Sequence, residues 1–120
     1  MKFGASVFKV AIIGSRSFED YELLKEVVGT FGYDFSIVSG GAAGADRLAE
    51  RYATEFGKAI TVFKPDWNRY GRGAGMVRNK QIIAEADVVF AFWDGSSKGT
   101  KNSIELAKKA DKPVRVVTYK

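Results

Sequence analysis

The chain has 120 residues, a length that suits one domain, and 46% of them are hydrophobic, enough for a sizeable core. It contains no cysteine and no histidine, which excludes disulfides, thiolate zinc sites, histidine general bases and histidine-based triads. A net charge of +5 suits a negatively charged ligand or a nucleic acid, and is also an ordinary solubility margin for a small domain.

Met1 to Ser6 lacks the length and apolar region of a signal peptide, so an intracellular, cytoplasmic start is expected. No run of about 18 apolar residues occurs anywhere, so no membrane span is expected. Val7–Ile13 is mostly apolar and β-branched and predicts a buried strand, central in a parallel sheet. It ends in Gly14-Ser15-Arg16-Ser17-Phe18. Ser17 followed by Asp20 fits a capping-box-like helix start, with Leu23, Leu24, Val27, Val28 and Phe31 on one face and Gly32 closing the helix.

Phe35–Ser39 predicts the second strand. The small-residue stretch Ser39-Gly40-Gly41-Ala42-Ala43-Gly44-Ala45-Asp46 follows, feeding a helix that begins near Gly44. That helix carries Leu48, Ala49, Tyr52, Ala53 and Phe56 on one stripe, and Gly57 suits its C′ position. Ala59–Phe63 predicts a third strand, halted near Pro65. The polar segment Asp66–Asn79 is expected to be non-helical in its first half and to start a helix in its second, running to about Glu85. Asp87–Trp93 predicts a fourth strand. Asp94-Gly95-Ser96-Ser97-Lys98-Gly99-Thr100 is another small-residue loop, followed by a helix from about Thr100 to Ala110 and a last strand, Val114–Thr118.

Strands alternating with helices predict an α/β fold: a single Rossmann-like domain over residues 1–120, with helices on both faces of a parallel sheet. Right-handed crossovers give five strands in the order 3-2-1-4-5. Strands 1 and 4 then flank the topological switch point. The loops after strands 1, 2 and 4 all leave the carboxyl edge, where such sheets bind ligands.

Backbone N–H groups at a strand-to-helix turn rich in small residues attract phosphate. Ser39, Gly40, Gly41, Ala42 and Gly44 are therefore expected to cradle one, or simply to permit a tight turn. Arg16, after the first strand, suits a two-pronged phosphate grip, a plain surface position, or a bridge to Asp20; Gly14 and Ser15 lie beside it. Asp46 suits a first helical turn for its charge alone, or accepts from ribose hydroxyls. Trp67 and Tyr70, among Arg69, Arg72 and Arg78, suit base stacking, although Trp67 also suits a fold-back over the core. Arg78 and Asn79 are expected to face the same edge. Asp94 suits a sugar contact, a Mg²⁺ ligand, an acid or base, or an Asx-turn; Gly95, Ser97 and Gly99 accompany it, and Thr100 is expected to cap the last helix. No stretch matches the Walker A pattern or the Gly-x-Gly-x-x-Gly fingerprint.

Taken together, GSRSF, SGGAAGADRLAERYA, DW-x-x-YGRGAG-x-x-RN and DGSSKGT resemble the YspA/YpsA-related branch of the SLOG superfamily, from Val7 to about Val117. That superfamily includes the Lonely Guy phosphoribohydrolases and the DNA-processing protein DprA. The resemblance implies a Rossmann-like domain that binds nucleotides or nucleotide-derived ligands across those loops. Arg78 resembles the arginine of the Lonely Guy enzymes, and Gly99-Thr100 their Gly-Thr pair. Their glutamate position, three after Thr100, holds Ser103, and the Pro-Gly-Gly of that loop is replaced by Asp94-Gly95-Ser96. On a helix, Glu105 is turned about 200° from position 103. The leading expectation is therefore nucleotide binding or sensing without a required cofactor, with Mg²⁺ as a companion of a phosphorylated ligand. The alternatives are a phosphoribohydrolase or nucleosidase using Arg78 and Asp94, and single-stranded nucleic-acid binding. Relatives commonly dimerise, so the resemblance also raises a homodimer.

Overall fold

The structure, a computed structural model, describes residues 7–119. Met1–Ser6, read above as an intracellular start, lies outside the described residues. Alternation along the central strands dictates a core on both sides of the sheet. β1 (Phe8–Gly14) sends Val10 and Ile12 to one face and Ala11 and Ile13 to the other. Successive strand residues point to opposite faces, so a strand that is apolar throughout must be covered twice. With β2 (Phe35–Ser39), β3 (Ile60–Val62), β4 (Val88–Trp93) and β5 (Val114–Thr118) it forms a five-stranded parallel sheet in the order β3-β2-β1-β4-β5. This is the order expected from the alternation of elements. The register sets Phe8 against Phe35, and Gly14 against Phe92, which brings the ends of β1 and β4 level.

The helices are α1 (Tyr21–Val28), α2 (Ala45–Phe56), the single turn α3 (Trp67–Tyr70), α4 (Ala74–Glu85) and α5 (Lys98–Lys109). α1 and α2 share one hydrophobic core with Val10, Ile12, Phe90 and Phe92. α4 and α5 share the other with Ala11, Ile13, Val89 and Ala91. Leu24 on α1 and Ile37 on β2 are fully buried, and burial of each contributes roughly 1.5–3 kcal/mol. Phe18 stacks on Phe92 with centroids 4.8 Å apart, pinning the loop after β1 to β4.

Several helix ends differ from the sequence expectation, each for a local reason. Asp20, not Ser17, caps α1: its carboxylate accepts from Leu23 N at 3.0 Å, while Ser17 Oγ bonds the Tyr119 hydroxyl at 2.8 Å. α1 stops at Gly29 rather than Gly32. Gly57 does take the left-handed conformation, φ +64°, that ends α2. Phe56, expected on the buried stripe of α2, is exposed. Trp67–Tyr70 is helical where a non-helical stretch is expected, because Asp66 caps the turn by accepting from Arg69 N at 3.1 Å. Gly71, at φ +56°, ends that turn, and a 3₁₀ turn over Gly71–Gly73 leads into α4. α5 starts at Lys98 with Ser97 at the cap position, so Thr100 sits inside the first turn and does not cap. Among the described residues, no helix is long and apolar enough to cross a membrane.

Candidate functional site

Where β1 and β4 end, their loops diverge and leave a cavity of about 440 Å³. That is the switch point at which the strand order reverses direction, and the volume lies within the range of small-ligand sites, about 300–1,000 Å³. Ser15 is the hub of its floor. Its hydroxyl is 2.7 Å from Ser97 Oγ and accepts from Asp94 N at 3.1 Å. Ser97 Oγ in turn donates to Thr100 Oγ1 at 3.1 Å. Three hydroxyls, from the loops after β1 and β4 and from the first turn of α5, are thus tied together. Gly14 must lack a side chain, because a Cβ there would lie 2.3 Å from Phe92 O.

Most of the stretch after β2 lies outside the lining of this cavity. The loop after β1 lies across the N-terminus of α2, and Ala45 N donates to Ser15 O at 3.4 Å. Gly44, at φ +79°, makes this approach feasible, since a Cβ there would come within 2.3 Å of Ser15 O. Ser39 is buried and donates to Ile12 O at 3.1 Å. Gly41 packs against Val62 and Lys64. Gly40 is buried beneath Arg78 and Asp46. Of the five residues expected in the cradle, Ala42 alone lines the cavity. The helix end that does open into it belongs to α5. Ser97, Gly99 and Thr100 line the wall, and no side chain caps the helix. The amides of Lys98, Gly99 and Thr100 have no carbonyl one turn earlier to donate to.

Cations and carboxylates face each other across this space. Arg16 is exposed and lines the cavity, and among the described residues it enters no ion pair, including none with Asp20. Arg78, on α4, donates from Nη1 to Gly40 O at 2.7 Å and from Nε to Asn79 Oδ1 at 3.0 Å. Asn79 then donates to Asn102 Oδ1 at 3.2 Å, linking α4 to α5. Asp46 is only 6% exposed. Its Oδ2 accepts from Ala42 N at 3.1 Å, and its Oδ1 has no partner. Burial pushes its pKa up to about 6, against the opposing pull of the Ala42 amide and the Arg78 charge. Asp94 lines the opposite loop and closes an Asx-turn, accepting from Ser96 N at 2.9 Å and Ser97 N at 2.8 Å. Those two amides hold its carboxyl below the usual range, so it stands ionised at neutral pH.

A family model described as "YspA, cpYpsA-related SLOG family" matches residues 8–70. The chain is also 35% identical over 116 residues to the Gene 61 protein of Mycobacterium phage D29, a match covering 88% of this chain and 93% of that protein. The chain belongs to the YspA, cpYpsA-related SLOG family. Its fold is similar to that of DNA processing protein A from Helicobacter pylori, a protein described for its single-stranded DNA binding mode. That match has a TM-score of 0.71 and 26% identity, and covers 94% of this SLOG chain and 66% of the Helicobacter chain.

The SLOG fold brings Gly14, Ser15, Arg16, Ala42, Asp46, Arg78, Asn79, Asp94, Ser97, Gly99 and Thr100 to one cavity. Arg72, Trp67 and Tyr70 stand outside its lining. Trp67 is 58% exposed and Tyr70 39%, so Trp67 does not fold back over the core. Gly95, at φ +88°, serves the turn beside Thr118 and is also outside the lining. Ile13, Ile82 and Ser103 line the cavity without having been singled out as ligand contacts. Ile82 was within reach of helical spacing, since it follows Arg78 by one turn on α4. Ser103, at the position of the Lonely Guy glutamate, is buried in the cavity wall, whereas Glu105 is exposed and outside it.

Proposed function

We propose that this SLOG chain binds a nucleotide or nucleotide-derived ligand in the cavity between β1 and β4. The observation that carries the reading is the uncapped N-terminus of α5 inside a cavity that also receives Arg16 and Arg78. Helix N-terminal amides favour an anion through both hydrogen bonding and the helix dipole. The space beside Gly99 is open to a phosphate, since nothing lies within 4 Å of where a Gly99 Cβ would be. Arg16 then closes over it from the loop after β1. Ile13 and Ile82 supply apolar surface for the rest of the ligand.

Binding without turnover fits these residues better than hydrolysis. Ser103 offers no carboxylate for proton transfer, and Asp94 is committed to its turn. Among the described residues no three acidic side chains cluster to hold a metal, so a Mg²⁺ would come with the ligand's phosphates. The test is a thermal-shift screen of nucleoside mono-, di- and triphosphates, cyclic nucleotides, dinucleotides and ADP-ribose. Ligand at about 100 times Kd stabilises by about 2.7 kcal/mol. No shift with any of them would reject the reading.

A second reading is single-stranded nucleic-acid binding, favoured by the likeness to the Helicobacter protein and by exposed Trp67 and Tyr70 near Arg69 and Arg72. The Arg69 guanidinium lies 5.2 Å from the Tyr70 ring centroid, a pairing that suits stacked bases and phosphates. It predicts oligonucleotide affinity that falls steeply with salt.

A further inference from the structure

α4 and α5 lie side by side on one face of the sheet, linked by the Asn79–Asn102 hydrogen bond. Further along both helices a second cavity, of about 270 Å³, opens between them. Its floor is apolar, lined by Ile83, Ala84, Leu106 and Ala110. Ile83 is 3% exposed and belongs to the core beneath, while the small side chains of Ala84 and Ala110 are exposed and leave the groove open. The backbone carbonyls of the floor are already bonded. Lys112 Nζ donates to Ile83 O at 2.5 Å and to Ala84 O at 3.0 Å, and Ala110 N donates to Leu106 O at 3.0 Å.

The rims carry the opposite chemistry. Lys80 on α4 and Lys109 on α5 complete the lining. Both are exposed, and among the described residues neither enters an ion pair. Of the nearby carboxylates, Glu85 is held by Lys9, while Glu105 and Asp111 lie outside the lining. Lysine stems cover apolar surface while their ammonium groups stay in water, so the groove is an apolar slot with a cation on each side.

Size and charge together choose the occupant. The volume falls below the range of small-ligand sites, about 300–1,000 Å³. An apolar cavity of roughly 150 Å³ holds a benzene-sized group, so this one suits about two apolar side chains. A helix laid in a groove supplies such a pair one turn apart, with charges on its flanks to meet the rims. Two copies of this chain paired groove to groove would set lysines against lysines, which electrostatic complementarity disfavours. We propose that the groove between α4 and α5 docks an acidic amphipathic helix of a partner protein. Its apolar residues pack on Ile83 and Leu106, and its carboxylates meet Lys80 and Lys109. The groove shares no lining residue with the cavity between β1 and β4, so the proposal does not rest on nucleotide binding.

Titration of the isotope-labelled full chain with synthetic helical peptides, followed by amide resonances, tests this. The first probe carries Leu one turn apart with Glu on both flanks. The second has Lys for each Glu, and the third has Ala for each Leu. The Glu/Leu peptide should shift the amides of Lys80, Ala84, Leu106 and Ala110, and the other two should bind about tenfold more weakly. Added salt should weaken the Glu/Leu peptide. The double variant Lys80→Glu/Lys109→Glu changes exposed side chains only and should prefer the Lys-flanked peptide. If that variant unfolds, the discrimination among the three peptides by the unsubstituted protein decides alone. Equal affinity for the Glu- and Lys-flanked peptides, shifts confined to residues outside the groove, or no binding would overturn the proposal. Concentration-dependent dimerisation in sedimentation that Ala84→Arg abolishes would overturn it too, with a second copy as the occupant.

Discussion

Replacing Asp46 by Asn tests the electrostatics of the cavity without any ligand. Burial raises the Asp46 pKa from 3.8 to about 6. The folded protein therefore holds this proton more tightly than the unfolded chain. Below about pH 4 both states are protonated and the residue contributes no difference. Between about pH 4 and 6 the unfolded chain ionises first, so stability from this group falls as pH rises. Above about pH 6 both states are ionised, and the folded state carries the full cost of a buried charge. A shift of about two units corresponds to about 3 kcal/mol. Asn keeps the shape, can accept from Ala42 N, and does not titrate. Urea unfolding of both proteins at pH 4, 5, 6 and 7 should show Asp46→Asn gaining about 3 kcal/mol relative to the parent between pH 4 and pH 7. Glu55 and Asp94, whose pKa values are lowered, lose stability on acidification, but they are common to both proteins and cancel in the difference. A difference that is flat across this range, or that grows toward acid, would refute the reasoning.

Gly44→Ala should destabilise by roughly 2–4 kcal/mol in denaturant titration, since it combines φ +79° with a Cβ 2.3 Å from Ser15 O. Gly57→Ala, also at positive φ but with nothing within 4 Å of its Cβ, should cost only about 1 kcal/mol. Arg16→Ala should weaken a phosphorylated ligand about tenfold and reduce the salt dependence of its binding, leaving unfolding midpoints unchanged, because the side chain is exposed and enters no described ion pair. Trp67→Ala should leave mononucleotide binding intact, since Trp67 is outside the cavity, while reducing any oligonucleotide affinity by about 1–3 kcal/mol per lost stack.

Much of the architecture was legible because it depends on local patterns. An apolar run such as Val88–Trp93 has one stable environment, a strand covered on both faces, and the alternation of such runs with helices leaves few sheet orders. The convergence of the Gly14–Phe18 and Asp94–Thr100 loops follows from that order. Cap positions were less legible, since Ser17 and Asp20, or Ser97 and Thr100, are all competent caps. The choice went to Asp20 because Ser17 is bonded to Tyr119, more than one hundred residues away in sequence (|i−j| = 102). Asp94, likewise, sets the start of α5 by accepting from Ser96 and Ser97.

The small-residue stretch Ser39–Gly44 shows where sequence reading stops. Its small residues do mark a close approach of backbones, as glycine at a strand-to-helix turn implies. What approaches Gly44 is the chain's own Ser15 carbonyl, and the open amides belong to α5. By itself the sequence determined the parallel sheet, its two cores and the edge at which a ligand would sit, because side-chain periodicity and crossover handedness act locally. Tertiary structure alone decided which helix N-terminus opens into the cavity and that Asp46 is buried with an oxygen unmatched. Both depend on how the loop after β1 lies across α2, a packing arrangement that no single segment specifies.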